Sequence, residues 1–517
     1  MRYQVLLILF QLVSYHLFGQ LSEEWSDSKP TNLSYFFQSE PKLIFDNNSH
    51  LIVEGNQRIV KYTLGGNEIW SVDFVGVMGQ HIEGRNNHIA IDSSDNIYVT
   101  GNTYNDSTFY DVVTTKYDSS GNLIWTDVYD NSQTDSTNEL SGGLCLDQAG
   151  NLYVAITVSD SVTGQDYYLI KYDSSGNKVW ERQNEINGED RTHIVLCDNS
   201  GNVIIGGRSN TTNPQVFYLV KWDSSGNKQW DYTWFNSDYV HQLFYDMVID
   251  GDNNIYMNGG DHELVKVRSN GTLAWHQSLW DTFYLSGEAY ALRLDNNSNI
   301  VFTGRQYGDT TNGDVLVAKY DSSGNFLWWR LYQSNGNIYE QGSSIAFDNE
   351  NNIYIVGQSG NTSSYDDLIL KYSENGDLLF DFKRDRNYED GLYSVLIGSS
   401  NEIYVAGNSS NGGNVEMVTT KYNQVTGIKI FSQTSAKLRA YPNPAQDNIL
   451  LTFNDFKFPV SLDIYSIEGK HLQTINDIKQ ETTQLSIQEL KPGIYIMKCS
   501  DADGNIYSDR LSKINCP

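Results

Sequence analysis

A ten-residue string, KYDSSGNLIW at residues 116–125, recurs along this 517-residue chain and limits what the chain can fold into. Close copies begin at Lys171, Lys221 and Lys319, looser ones at Lys61, Lys266, Lys371 and Lys421. Each reads as strand, tight turn, strand. Asp118 can fold its carboxylate onto backbone N–H groups two residues on. Gly121 supplies the positive φ of a short bulged hairpin loop, and Leu123 restarts an apolar strand. An aromatic residue recurs at one place in every copy: Trp70, Trp125, Trp180, Trp230, Trp275, Trp328, Phe380 and Phe431. Such a ring buries about 150–250 Å², so one per repeat predicts a wedge between neighbouring units.

The flanks repeat as well. Two short apolar runs precede each hairpin, and the first ends at Asp46, Asp92, Asp147, Asp198, Asp250, Asp295 and Asp348, with Gly398 in the last copy. Successive signature lysines lie 45 to 55 residues apart. Four short strands in a period near fifty mark a β-propeller blade, and closing a ring hides edge strands that an open array would expose. The fold expected is all-β: a single propeller over residues 43–434, eight four-stranded blades favoured and seven possible, since the first and fifth copies have short second loops. Residues 20–42 read as a polar lead-in, with a strand at Leu33–Phe37.

The strings N-I-Y-V-x-G and K-Y-D-x-x-G-N-x-x-W make residues 40–434 resemble the bacterial SBBP-type propeller repeats. They are similar, more distantly, to the tryptophan-bearing repeats of quinoprotein dehydrogenases, a resemblance that implies eight blades.

From Lys437 the periodicity changes, and alternation with turn glycines predicts a small antiparallel β-sandwich over 437–517. Tyr441-Pro442-Asn443-Pro444, the string ending in Gly469-Lys470, and the string containing Pro492-Gly493 follow in that order. Together they resemble the type IX secretion C-terminal sorting domain of Bacteroidetes-like bacteria. That resemblance implies the type IX machinery and its C-terminal signal peptidase as partners. It also implies passage through the periplasm to the outer surface or medium, and attachment to surface lipopolysaccharide. The chain departs from the pattern at its end, Asn515-Cys516-Pro517.

The N-terminus agrees with export. Met1-Arg2 and the apolar run Val5–Leu17 read as a signal peptide over 1–19. The formal charge of −29 argues against a nucleic-acid partner, whose phosphates would be repelled. There are four cysteines. Cys145 and Cys197 sit in corresponding strands of consecutive repeats, offset by one residue. Their side chains should then point to opposite faces, so buried free thiols are expected. Cys499 and Cys516 could pair in an oxidising compartment.

Chemistry is sparse. With the first strand of each blade innermost and side chains alternating, the polar residues expected at the channel mouth are Lys42, His88, Asp246 and Arg293. They include neither a convergent acid/base pair nor a nucleophile with its base, so no catalytic residue is named. Asp250, Asp252 and Asn254 offer oxygens at alternating positions, as Ca²⁺ requires. The loop lacks the sixth-position glycine and distal glutamate, however, and turn chemistry explains it without a metal or other cofactor. Trp222, Trp234, Trp280, Trp329, Tyr167 and Tyr168 could stack on sugars, although strand alternation favours packing between blades.

The sequence thus leads to an exported propeller that binds a glycan or protein without turnover. An extracellular polysaccharide lyase or hydrolase, with its site in propeller loops, and a structural surface-layer component are the alternatives.

Overall fold

The computed structural model describes residues 21–30, 40–74, 88–424 and 437–513, less short stretches at 106–108, 132–137, 161–163, 185–187, 211–215, 237–242, 284, 308–312, 335–338, 362–363, 387–388, 412–413, 442–444, 455, 467–470 and 503–505. The signal-peptide segment lies outside these residues, as do Leu33–Phe37, Phe431, Pro442, Asn443, Pro444, Gly469, Lys470 and Cys516. Residues 20–424 form one compact unit and 425–517 belong to another.

Among the described residues of the first unit, eight sheets each consist of four antiparallel strands, consecutive in sequence in seven of them, one carrying an extra two-residue strand at Gly188–Glu189. The first sheet runs Lys42–Phe45, Leu51–Gly55, Arg58–Tyr62, Glu68–Asp73. Each sheet buries both faces. In strand Leu152–Asp160, for example, Leu152, Val154 and Ile156 pack toward the preceding sheet, while Tyr153 and Ala155 pack toward the following one. A strand buried on both sides needs a continuous apolar run, which is why the second strands read Tyr-Val-Ala-Ile or Ile-Tyr-Val. Apolar clusters join each sheet to the next. One of them sets Tyr404, Ala406 and Met417 of the eighth sheet against Leu43, Leu51 and Val53 of the first, so the series returns to its start.

The eighth sheet corrects the expected lead-in. Its outer strand is Leu21–Pro30, paired antiparallel with Asn414–Gln424. Trp25 lies opposite Lys421 and gives its indole N–H to Leu64 O at 3.1 Å. The repeat pattern alone predicts Phe431 for that wedge position. The N-terminal strand can take it because a bulge between Glu23 and Trp25 turns Trp25 to the face opposite Leu21, as the bulge beside the Lys–Trp pair does in the outer hairpins of other sheets.

The disulfide pattern is a second correction. Cys145 and Cys197 are bonded, with Cα atoms 5.9 Å apart. Their one-residue offset does place them on opposite faces. In stacked sheets, however, the faces that meet across a gap are opposite faces, so the offset brings the two sulfurs together. Cys499 is buried with a free thiol, and burial pushes its pKa up to about 12.

The hairpins behave as their sequence predicts. Asp118 accepts from Ser120 N and Asn122 N at 2.9 and 2.8 Å, and from Asn122 Nδ2 at 2.9 Å. Gly121 has φ +83°, and a Cβ there would stand 2.8 Å from Trp70 of the preceding sheet. Gly66 meets Trp25 in the same manner. The signature lysines cross the gap too. Lys61 pairs with Asp46 at 2.8 Å and donates to Ser119 O of the next sheet at 3.1 Å. In the last repeat, where Gly398 removes the acid, Lys421 pairs with Glu24 of the N-terminal strand at 2.9 Å.

In the second unit, strands Lys437–Tyr441, Asn448–Asn454 and Thr482–Ser486 form one sheet. Strands His471–Ile478, Val460–Ser466, Gly493–Ser500 and Ile506–Lys513 form a second. Leu451 and Phe453 of the first share a core with Leu462, Ile464 and Met497 of the second. Tyr441 closes its strand, Pro492 is an exposed bend, and Gly493 opens the next strand.

Candidate functional site: a tyrosine cluster around an arginine–glutamate pair

Both faces of each sheet meet neighbouring sheets, so alternation selects the preceding or following blade. Asp246 shows the consequence. It is buried, its Oδ2 accepts from Leu292 N at 2.9 Å and Arg293 Nη1 at 2.7 Å in the next sheet, and its Oδ1 caps Met247 N. Asp246 and Arg293 are therefore brought together as a link between first strands. Lys42 lies across the ladder from the buried Glu54. Burial pushes Glu54 up to about 8, with the Lys42 charge pulling the other way. His88 is buried as well. Its burial, and then the charge of Lys42, hold it down at about 3.

The calcium candidates serve their turn. Asp250 accepts from Asp252 N, Asn254 N, Asn254 Nδ2 and the Tyr256 hydroxyl at 2.8–3.1 Å, and Lys266 stands 3.8 Å away. With donors already on both oxygens and a cation beside them, this carboxylate is engaged as a turn former. Trp222 and Tyr167 are buried between sheets, and Trp234, Trp329 and Tyr168 pack partly buried there.

The opposite end of the first strands is chemically richer. In six sheets the strand carries a bulge at the fifth residue before its terminal Asp or Gly. A bulge re-aims a side chain and breaks alternation. Tyr245 and Tyr290 occupy two of these bulges in consecutive sheets, with ring centres 5.1 Å apart. Strand Gly287–Leu294 places Glu288 opposite Arg305 of Ile300–Gln306. Arg305 Nη2 reaches Glu288 Oε2 at 2.8 Å and the Tyr307 hydroxyl at 2.6 Å. Its guanidinium carbon lies 4.6 Å from the Tyr307 ring centre and 5.0 Å from that of Tyr339, in the next sheet. Tyr290 donates to Glu288, Tyr339 donates to Gln341, and Tyr339 meets Tyr365 edge-on at 5.5 Å.

Four of these rings, Tyr290, Tyr307, Tyr339 and Tyr365, are partly or largely exposed, Tyr307 at 43%. Burial raises the pKa of Tyr290 well above its ordinary value and the Glu288 carboxylate adds to the rise; Tyr307 and Tyr339 are raised chiefly by burial. Burial also pushes Glu288 upward, but the Tyr290 hydroxyl and Arg305 outweigh it and hold the carboxyl below its usual range. The cluster thus presents neutral hydroxyls and aromatic faces around an ion pair. The sequence offered one signal for it, an aromatic five residues before Asp250, Asp295 and Gly398, which an unbroken alternation does not single out.

The repeated four-stranded sheets define a β-propeller-like protein, and its tail defines the destination. Residues 439–512 match the family described as "Secretion system C-terminal sorting domain". This supports interaction with the type IX translocon and sortase machinery, and delivery to the cell surface or medium. No curated protein matches the chain. Among solved structures, the chain is similar to the C-terminal WD40 domain of Sif2 (9% identity, 78% of this chain and 98% of that one, TM-score 0.46). It is also similar to the WD40 domain of SCAP from fission yeast (11%, 76% and 98%, TM-score 0.42) and to the polysaccharide lyase Uly1 (9%, 68% and 92%, TM-score 0.42). Likenesses this distant do not reach function.

Proposed function

We propose that the chain is an eight-bladed, SBBP-type propeller that captures a carbohydrate outside the cell through the tyrosine cluster at Glu288 and Arg305. Its trailing domain, a small β-sandwich, is removed on export, with passage through the periplasm and attachment to surface lipopolysaccharide part of the same reading. The observation that carries the ligand class is the set of partly exposed tyrosine rings around an already neutralised Arg–Glu pair. Aromatic faces stack on the apolar faces of sugar rings, while tyrosine hydroxyls hydrogen-bond sugar hydroxyls. A general base drawn from these tyrosines would have to lose a proton that burial and Glu288 hold in place. That favours binding over the eliminative chemistry of a lyase.

A glycan array probed with the full exported chain, followed by reducing-end and unsaturated-product assays on each hit, tests this reading. Saturable binding without new chain ends is expected. New ends, abolished by Tyr290→Phe, would establish an enzyme instead.

A further inference from the structure

We propose that Glu263, His276 and Asp281 form a site for one first-row divalent cation of the zinc type at the outer edge of the fifth sheet. The ladder between strands Glu263–Val267 and Leu273–Ser278 sets Glu263 opposite Ser278 and Val265 opposite His276. Glu263 and His276 are therefore diagonal neighbours on one face, within reach of each other. The chain then makes a single helical turn, Leu279–Phe283, which brings Asp281 back over them. His276 Nε2 lies 3.4 Å from Glu263 Oε2 and 3.8 Å from Asp281 Oδ2, and the three ligand atoms all fall within 4.8 Å of one another.

Zinc-type ions hold nitrogen and oxygen donors at about 2.0–2.2 Å, so tetrahedral donors sit roughly 3.3–3.6 Å apart. The 3.4 Å approach falls in that range and the 3.8 Å one lies just beyond it. Beyond their 3.4 Å approach to each other, two of the atoms make no hydrogen bond. Glu263 is 1% exposed, and its Oε2 takes no hydrogen bond; His276 Nε2 is buried and makes none. A buried carboxylate oxygen and an imidazole nitrogen aimed at one point, with a second carboxylate beside them, gather negative charge and lone pairs that an ion would satisfy. The imidazole favours zinc, cobalt or nickel over calcium or magnesium, which prefer oxygen alone. Around the ligands, Asn236 Nδ2 fixes Glu263 Oε1 at 2.8 Å, and the Trp234 ring packs 4.6 Å from the His276 ring. Such outer partners orient metal ligands. One open coordination position remains for water, and the ion would pin the helical turn to the sheet.

The test is equilibrium dialysis of the full exported chain against Co²⁺ in physiological salt with excess Ca²⁺ and Mg²⁺, read by metal analysis and visible absorption. One Co²⁺ per chain is expected, with ligand-field bands that Zn²⁺ displaces and a higher melting temperature in Zn²⁺. His276→Gln and Asp281→Asn should each lose the stoichiometric ion, and Asn236→Ala should weaken it roughly tenfold. Asp281 is exposed, so its variant keeps the fold, which circular dichroism of the metal-free proteins verifies. Absence of stoichiometric uptake by the wild type, or uptake by either ligand variant equal to the wild type, would overturn the assignment.

Discussion

Trp25, in the N-terminal strand, lies directly opposite Lys421, in the last strand of the repeat region. The same pairing joins Trp70 to Lys61 and Trp125 to Lys116 inside single hairpins. The two ends of the first unit thus complete one sheet, using contacts that the other sheets make locally. Glu24 replaces the acid that Gly398 lacks, so the substitution in the last repeat and the unusual N-terminal strand are two parts of one device.

Trp25→Ala should therefore cost about as much as Trp70→Ala, on the order of 2–4 kcal/mol for a partly exposed wedge. Urea unfolding of the two variants checks this. Stability unchanged by Trp25→Ala would mean that the strand Leu21–Pro30 is dispensable.

Reducing the Cys145–Cys197 bond opens a closure spanning 52 residues between the third and fourth sheets. A loss of about 2–4 kcal/mol is expected, seen as a lower denaturation midpoint in dithiothreitol and matched by a Cys145→Ala, Cys197→Ala double variant. A midpoint indifferent to reductant would contradict the bond.

Glu54 gives the pH dependence a sign. Its folded pKa, about 8, stands above its ordinary value of 4.5. Between those values the unfolded chain has released the proton that the fold retains. Its contribution is thus fully present below pH 4.5 and is lost as pH rises toward 8, at about 1.4 kcal/mol per pH unit. His193, held at about 3 by burial, acts in the opposite sense, losing stability as pH falls from 6.5 to 3. Glu54→Gln should flatten the decline between pH 5 and 8, shifting the wild-type-minus-variant difference by on the order of 3–5 kcal/mol. Denaturation at several pH values measures it, and parallel curves would refute it.

Gly121→Ala faces two obstacles, φ +83° and a Cβ 2.8 Å from Trp70. A loss above about 1 kcal/mol is expected from the backbone and the crowding together. Thermal unfolding beside Gly150→Ala, which has a similar φ of +80° but open space around it, separates the crowding from the backbone strain.

The sheets were legible because their signal is local. Asp118, Gly121 and Trp125 state a turn and a wedge within ten residues. The closing strand was not, since Leu21–Pro30 carries Trp25 without the turn that precedes it in other copies. Cys145 and Cys197 were misjudged by treating opposite faces as divergent, which holds for a lone sheet and reverses in a stack. The contact of Asp246 with Arg293 joins two consecutive sheets, so neither strand's own sequence shows it. The tyrosine cluster and the Glu263–His276–Asp281 group assemble across bulges, ladders and sheets, so no short motif announces them.

The most direct measurement of the central claim compares Tyr307→Ala with Tyr307→Phe by titration against the best glycan from the array. Stacking on the exposed ring predicts that Phe keeps affinity within about threefold, while Ala loses about tenfold or more, some 1.4 kcal/mol. Wild-type affinity in Tyr307→Ala would contradict the assignment of the sugar to this cluster.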